Sequence, residues 1–372
     1  MAANVQKTSS LGKVLVTGGC GFLGHHIVKL IVERHPATQV SVLDLRTELN
    51  RNSNTNVSYH NCDITSVGAV QQIFSKIQPD VVIHTAGANL IAKNEVHYKV
   101  NVDGTKNLLA AAEKTGVKVF VYTSSASVIY NPKTELINAD ESWPLVMGKD
   151  QPEYYTHTKA IAEKAVLEAN RGETGMLTCA IRPAGIFGEG DVQTLPKMVS
   201  AYQKGQNKFQ VGSNNNLFDF SYVGNIAHGH LLAVQALLHT QKMMPTIPLD
   251  TEKVDGEAFF ITNGQPVYFW DFARAVYHEA GDTLPLSSVW KMSQGLMYLI
   301  GAILEWLFWI LGKTPNLTRQ QVKYSCMTRY YSIKKAEKRL GYQPIVNLEE
   351  GVRRGVKYIL QEEQKGKDKK DQ

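Results

Sequence analysis

Residues 14–24, VLVTGGCGFLG, constrain this chain more than any other stretch. A short valine-rich apolar run reads as a buried strand. It ends in Gly18, Gly21 and Gly24, and residues 25–31 then resume a helical spacing of apolar positions. In such a strand–turn–helix unit the first glycine permits the tight turn, the second lets backbone approach a pyrophosphate, and the third lets the helix pack on the strand. The helix N-terminus faces the phosphates. GxxGxxG is one residue longer than the usual GxGxxG, and glycine turns also occur in ordinary loops, so the pattern needs context. Residues 39–43 supply it: a second largely apolar run ends in Asp44, 20 residues after Gly24, where a carboxylate can accept hydrogen bonds from an adenosine ribose.

The rest of the first half repeats this rhythm. Residues 57–60 alternate like a strand and lead into Asn61-Cys62-Asp63-Ile64, and a helix follows to Ile77. Residues 81–84 read as the next strand, turning at Thr85-Ala86-Gly87, where small residues let backbone lie near a cofactor ribose. A long helix is predicted over 95–114 and a further strand over 118–122, closed by Thr123-Ser124-Ser125-Ala126-Ser127. Strands alternating with helices imply right-handed crossovers and a doubly wound parallel sheet of Rossmann type. Ligands bind beyond the carboxyl ends of such strands, so Gly18, Gly87 and Ser125 are expected at one crevice.

Residues 140–152 read as a polar loop and 154–169 as a helix carrying Tyr155-Thr156-His157-Thr158-Lys159. Tyr155 and Lys159, four apart, share a helical face, where an ammonium can stabilise a phenolate that is otherwise reluctant to form near neutral pH. A Tyr–Lys pair at this spacing is commonplace by itself; the glycine turn, the ribose acid and the strand-end serines give it weight. His157 lies on another face and reads as solvent-side.

At 372 residues the chain is long enough for a large core and an appended lobe. Its four cysteines, Cys20, Cys62, Cys179 and Cys326, have no CxxC pair and no histidine at ligand spacing, which points to a reducing compartment with neither zinc nor a disulfide framework. The first eleven residues are polar and lack the apolar region of a secretory signal. The net charge of +6 is uneven: residues 313–372 hold 15 Lys/Arg against 7 Asp/Glu, and the rest holds 25 against 27. Without an arginine–aromatic platform, this basic end points to a membrane surface rather than to nucleic acid.

TGGCGFLG, the Asp63-Ile64 pair, Asn101 in NVDGT, YTSSAS, YTHTK and IRPAGIFG together resemble the extended short-chain dehydrogenase/reductase superfamily over nearly the whole chain. Within it, FDFSYVGNIAHGHLLA from Phe218 and DGEAFFITNGQPVYFWDFARAV from Asp255 are similar to the 3β-hydroxysteroid dehydrogenase family, and most of all to members that decarboxylate 4α-carboxysterols. The resemblance implies Tyr155 as general base, Lys159 as the ligand of the nicotinamide ribose that lowers the tyrosine pKa, and Ser125 as the group orienting the C3 oxygen. Ser124 is the alternative to Ser125, since a doubled serine cannot be phased from sequence. It implies dinucleotide contacts from Gly18, Gly21, Phe22, Leu23, Gly24, Asp44, Asp63, Ile64, Ala86, Gly87, Asn101, Tyr155, Lys159, Pro183 and Ile186, with NAD as cofactor, NADP as the alternative, and no metal. The reaction implied is oxidation of a 3β-hydroxyl with loss of the C4 carboxyl, in sterol biosynthesis. The partners implied are a sterol, other enzymes of C4 demethylation and a second copy of the chain.

Three rivals stand beside it. A 3β-hydroxysteroid dehydrogenase/isomerase shares the fold and the dyad. A UDP-sugar epimerase or reductase of the superfamily typically carries Arg-Asp-Phe and then Val-Asp-Asp, where this chain has Phe218-Asp219-Phe220 and Val223-Gly224-Asn225; a UDP-sugar wants basic groups for its phosphates and a sterol does not. A non-catalytic cofactor sensor would have lost part of the Ser-Tyr-Lys set.

The domain reading is a dinucleotide-binding domain of residues 1–183 plus about 223–260, and a smaller discontinuous substrate lobe of 184–222 and 261–364. Closing helices are expected over 332–340 and 347–361. In the lobe, residues 292–311, MSQGLMYLIGAILEWLFWIL, are apolar except for a seam of Gln294, Tyr298, Gly301 and Glu305 at three- and four-residue steps. Spanning needs about 20 apolar residues and a mid-bilayer carboxylate costs on the order of 2 kcal/mol or more, so a helix lying in one leaflet fits better than a full span; the bland alternative is a buried helix of the lobe. Residues 365–372 read as a disordered polar tail. It ends Lys369-Lys370-Asp371-Gln372, which matches a dilysine retrieval pattern; together with the apolar helix and the sterol-type resemblance, the expectation is the cytosolic face of the endoplasmic reticulum. Asn316-Leu317-Thr318 is a formal glycosylation sequon that a cytosolic face would leave unmodified.

Overall fold

The computed structural model describes residues 10–313 and 317–368, so Asn316 of the sequon and the dilysine lie outside it. Five of the expected strands form: β1 (Lys13–Thr17), β2 (Gln39–Asp44), β3 (Val57–Asn61), β4 (Val81–His84) and β5 (Val119–Thr123). With the strands Leu177–Pro183 and Glu257–Ile261 they make a seven-stranded sheet, parallel throughout, in the order β3-β2-β1-β4-β5, then Leu177–Pro183 and Glu257–Ile261. The order reverses between β1 and β4, which is where a doubly wound sheet opens a crevice.

Period-two alternation sorts the strand residues into two layers. Val14 and Val16 of β1 face Ile27, Val28 and Ile31 of the first helix, α1 (Phe22–Arg34), while Leu15 faces away with Val82, Phe120, Phe74 and Leu108. Both faces are covered, and this is why the strands read as continuous apolar runs.

The helix expected over 95–114 has a seven-residue π-helical middle, Tyr98–Gly104, between Asn94–His97 and Thr105–Lys114. Gly104 sits against Ile64, where a Cβ would lie 2.7 Å from Ile64 Cδ1, and Asn101 is drawn into the crevice. Widened turns of this kind recur where a helix must aim a side chain at a site.

The second lobe carries a four-stranded sheet in the order Val267–Tyr268, Leu217–Phe218, Arg329–Tyr331, Leu136–Ala139. Its last strand comes from within the segment read as dinucleotide domain and pairs with a strand 193 residues further on (Leu136 with Arg329). Nothing local in residues 136–139 announces that partner.

The apolar helix runs Gln294–Ile310, two residues later than read, because Trp290–Met292 is a strand paired with Phe209–Val211 and Ser293 caps the helix by accepting from Leu296 N at 3.2 Å. Its seam faces protein at two of the four positions, Gly301 and Glu305, while Gln294 and Tyr298 are exposed. Gly301 is buried, 3.1 Å from Arg319 N at the Cβ position, and Glu305 accepts from Arg319 N at 2.8 Å and Nε at 2.6 Å, so the helix seats on the next one, Arg319–Cys326. The alternative of a buried helix does not hold: Leu296, Leu299, Ile303, Trp306, Leu307, Trp309 and Ile310 are 42–78% exposed. No helix among the described residues is long and apolar enough to cross a membrane.

The last helix, Leu348–Asp368, continues past residue 364, where the sequence reading began a disordered tail. Contacts three and four apart, Glu362 with Lys365 at 2.7 Å and Gln364 with Asp368 at 2.9 Å, accompany the extra turn.

Candidate active site

Four chain segments meet at the switch point. Gly18, with φ +69°, donates N–H to Leu43 O at 2.7 Å, and a Cβ on it would lie 2.7 Å from Ala86 N. A Cβ on Gly24 would lie 2.1 Å from Gly18 O, so α1 crosses the loop at a distance only glycine allows. Gly21 is the N-cap of α1 without a side-chain cap, which leaves the leading N–H groups of Phe22, Leu23 and Gly24 to an outside acceptor. Asp44 backs the loop: Oδ2 accepts from Cys20 N at 3.1 Å and Oδ1 from Arg46 N at 3.1 Å. A glycine cradle that any Cβ would fill, an uncapped helix N-terminus and a carboxylate at the next strand end fit a dinucleotide.

The remaining expected cofactor residues fall around this cradle with unequal roles. Asp63 is exposed and accepts from Thr65 N at 2.9 Å, while Ile64 is buried beneath Gly104. Ala86 and Gly87 form the rim after β4. Asn101 Oδ1 accepts from Ala88 N at 2.9 Å and its Nδ2 donates to Thr158 Oγ1 at 3.0 Å, tying that rim to the Tyr154–Glu168 helix. Pro183 is buried at its strand end, and Ile186, half-buried, starts a short pairing with Ser221.

Tyr155 and Lys159 share a face of the Tyr154–Glu168 helix, beneath the end of β5. The resemblance implied that Lys159 lowers the tyrosine pKa; the structure differs. Lys159 Nζ donates to Thr123 O at 2.6 Å and lies 4.5 Å from the centre of the Tyr122 ring. Burial pulls its pKa down to about 7 against the opposing attraction of Glu163. Burial likewise pushes Tyr155 up to about 12, with Glu153 adding to the rise. Desolvation favours the neutral form of both groups.

The two candidate serines separate. Ser124 is buried, its N–H on Ile181 O at 2.7 Å and its Oγ without a partner among the described residues, whereas Ser125 is half-buried with Oγ 2.7 Å from Ser127 Oγ. Ser125 is the accessible one. His157, read as solvent-side, is half-buried and accepts from Gly148 N at 3.0 Å, pinning the loop before the helix.

Sequence reading missed several polar residues here. His84 bridges Thr17 Oγ1 at 2.7 Å and Thr105 Oγ1 at 2.9 Å, and burial drops its pKa to about 3, so it is a neutral strut. His97 packs edge-on against the Tyr155 ring with centroids 5.7 Å apart. Thr156 and Ser127 link Ser125 to Glu153 at the helix N-cap. Only the serines and threonines beside the dyad signalled any of this. In the lobe, Phe218 and Phe220, 4.9 Å apart, belong to an aromatic cluster with Phe269 and Phe272, so the position where epimerases typically carry arginine is packed with apolar rings.

A dinucleotide cradle at the switch point, with serine, tyrosine and lysine below the neighbouring strand end, defines an extended short-chain dehydrogenase/reductase. The chain belongs to the 3-beta hydroxysteroid dehydrogenase/isomerase family, whose model matches residues 15–293. It is 41% identical over 351 residues to a sterol-4-alpha-carboxylate 3-dehydrogenase, decarboxylating, of Schizosaccharomyces pombe, covering 94% of this chain and 98% of that one. It is 33% identical to the Mus musculus protein of that name, over 94% of this chain and 91% of that one. Among solved structures, the UDP-glucose 4-epimerase of Thermotoga maritima superposes with a TM-score of 0.68 at 22% identity, over 94% of this chain and 99% of that one, a likeness of fold.

Proposed function

We propose that this protein oxidises the 3β-hydroxyl of a 4α-carboxysterol to the ketone with release of the C4 carboxyl as carbon dioxide, a step of C4 demethylation in sterol biosynthesis. The reading rests on end-to-end similarity to sterol-4-alpha-carboxylate 3-dehydrogenases in a chain that keeps Ser125, Tyr155 and Lys159 together at the crevice. NAD, when bound, supplies the hydride acceptor and a positive charge that favours the phenolate. Tyr155 takes the hydroxyl proton, Ser125 orients the same oxygen, and Lys159, when protonated, places cationic charge beneath them. The product is a β-keto acid: its C4–carboxyl bond breaks, the electron pair passes to the C3 oxygen, and the protonated Tyr155 can donate to the enolate. Turnover of a 4α-carboxysterol with equimolar carbon dioxide and reduced cofactor is the expected result. Equal turnover of an unsubstituted 3β-hydroxysteroid would favour the dehydrogenase/isomerase reading instead.

Asp44 is proposed to favour NAD, by accepting from the ribose and repelling a 2′-phosphate, although exposed Arg46 stands two residues away. The same assay with both cofactors is expected to give the higher kcat/KM with NAD, and Asp44→Ala to narrow the gap by about tenfold or more. A higher kcat/KM with NADP would refute the assignment.

The Gln294–Ile310 helix is proposed to lie in the cytosolic leaflet of the endoplasmic reticulum. Its exposed Leu, Ile and Trp side chains favour hydrocarbon, and the basic segment after it favours an anionic surface. Trp290–Met292 and Arg329–Tyr331, on either side of it, both pair with strands of the globular body, which supports an in-plane helix over one that crosses. Such seating would put the enzyme beside others acting on the same membrane-dissolved sterol. Fractionated microsomes are expected to release the protein with detergent and not with high salt, and added protease to reach its C-terminus; salt release or a shielded C-terminus would refute the arrangement.

A further inference from the structure

Three lysine or arginine side chains are buried among the described residues: Lys159, Arg182 and Arg329. Lys159 belongs to the dyad, and Arg182 is paired with Glu163. Arg329, 8% exposed, has no carboxylate partner among the described residues. Its Nε donates to Tyr331 Oη at 2.7 Å, the Tyr324 phenol borders it, and its central carbon lies 5.4 Å from the Tyr130 ring centre and 5.5 Å from that of Tyr324. Neutral phenols do not balance a cation with five N–H donors, and a buried charge without a counter-ion is costly.

The two elements that carry the chemistry set the place of this cation. Ser125 and Tyr130 cap the two ends of one short turn, Ala126–Ile129. Tyr324 Oη donates to Glu153 Oε1 at 2.7 Å, and Glu153 caps the helix that bears Tyr155. The guanidinium therefore stands against the far end of the serine turn and, through one phenol, against the cap of the tyrosine helix. Lys323 Nζ, 5.7 Å from the centre of the same Tyr130 ring, adds positive potential there.

In a 4α-carboxysterol the carboxylate is borne by the carbon next to C3. With the C3 oxygen at Ser125 and Tyr155, that anion needs a counter-charge beside the very elements that Arg329 touches. We propose that Arg329 is the specificity-determining residue for the C4 carboxylate, which it takes as a bidentate pair through its guanidinium fork. Such pairs are charge-assisted and set geometry as well as affinity, and lysine does not reproduce them. The pair serves recognition rather than bond breaking. Once carbon dioxide has left, the ketone carries no anion and loses its hold on Arg329, which favours its exit.

The inference rests on the proposed oxidation of a 4α-carboxysterol, and turnover of that sterol by the wild type tests the reading first. The KM of the carboxysterol is then compared with the inhibition constant of its 4α-carboxamide, which has nearly the same shape and no charge. Arg329→Met keeps much of the side-chain length and removes the cation; the carboxysterol KM is expected to rise at least about 30-fold while the carboxamide constant stays within about threefold. Arg329→Lys restores the charge without the fork and should recover part of the loss. If Arg329 only held Tyr324 and Tyr331 in place, both ligands would weaken alike. Parallel weakening, or an unchanged carboxysterol KM, overturns the proposal and leaves the function standing; a wild type that does not oxidise the carboxysterol removes the function and the proposal with it. Should Arg329→Met fail to fold, Arg329→Lys decides, with the ratio of the two constants expected to shift about threefold or more and a constant ratio overturning the proposal.

Discussion

Tyr155→Phe is expected to lower kcat for sterol-dependent cofactor reduction by about 10²- to 10⁴-fold while dinucleotide affinity stays within about threefold of wild type, the span in rate being what a positioned general base contributes. The phenyl ring keeps the edge-on contact with His97, and the helix keeps Lys159 on Thr123 O, so the substitution removes the proton acceptor and little else. Burial holds the phenol near pKa 12, so an unassisted Tyr155 is overwhelmingly neutral at pH 7 and its oxygen acts as a base only when charge in the site draws the proton off. Steady-state rates and a dinucleotide titration of the variant check both halves. Near-wild-type turnover would mean that another group takes the hydroxyl proton. Loss of dinucleotide binding would mean that the ring holds the cofactor cradle together rather than serving the chemistry.

The largest stability effect is expected at Glu163. Its side chain is fully buried on the face of the Tyr154–Glu168 helix that meets Arg182, itself 5% exposed. Arg182 Nε donates to both carboxylate oxygens at 3.1 Å, and its guanidinium lies 5.3 Å from the centre of the Phe260 ring. Glu163→Ala strands a guanidinium in apolar surroundings, which costs about 3–5 kcal/mol because the desolvation penalty remains after its compensation has gone. The Arg319–Glu305 pair is the contrast: its side chains are 50% and 26% exposed, and breaking it should cost far less, because water solvates both groups once they part. Urea unfolding of the two variants side by side tests the ranking, and equal losses would contradict it. Glu163→Ala also withdraws the charge that opposes the fall of the Lys159 pKa, so the same variant should lose activity at a lower pH than wild type does, as the ammonium deprotonates earlier.

The dinucleotide half of the protein was legible in the sequence because its determinants are local. A valine-rich strand, three glycines and a resuming helix lie within 18 residues, 14–31, and each glycine answers a backbone demand that the structure makes at that position. Asp44 was found by its spacing from the turn, and Tyr155 with Lys159 by helical periodicity, which places residues four apart on one face whatever surrounds them. The seam of the apolar helix was found the same way, and Gly301 and Glu305 do face protein.

What tertiary structure alone decided depends on partners distant in the chain. Leu136–Ala139 became a strand because Arg329–Tyr331 lay ready to pair with it. Ser124 and Ser125 were distinguished by packing, one turned inward beside Ile181 and the other left at the crevice. The Tyr155 pKa is set upward by burial, against the lowering that the resemblance implied, because spacing reports which groups are neighbours while burial sets what each charge costs. Glu153, at the cap of the Tyr154–Glu168 helix, is tied to the lobe by hydrogen bonds from residues 167 and 171 positions away, Gln320 and Tyr324. Periodicity and motif spacing record what a segment does with itself; which distant segment meets it is set by the packing of the whole chain.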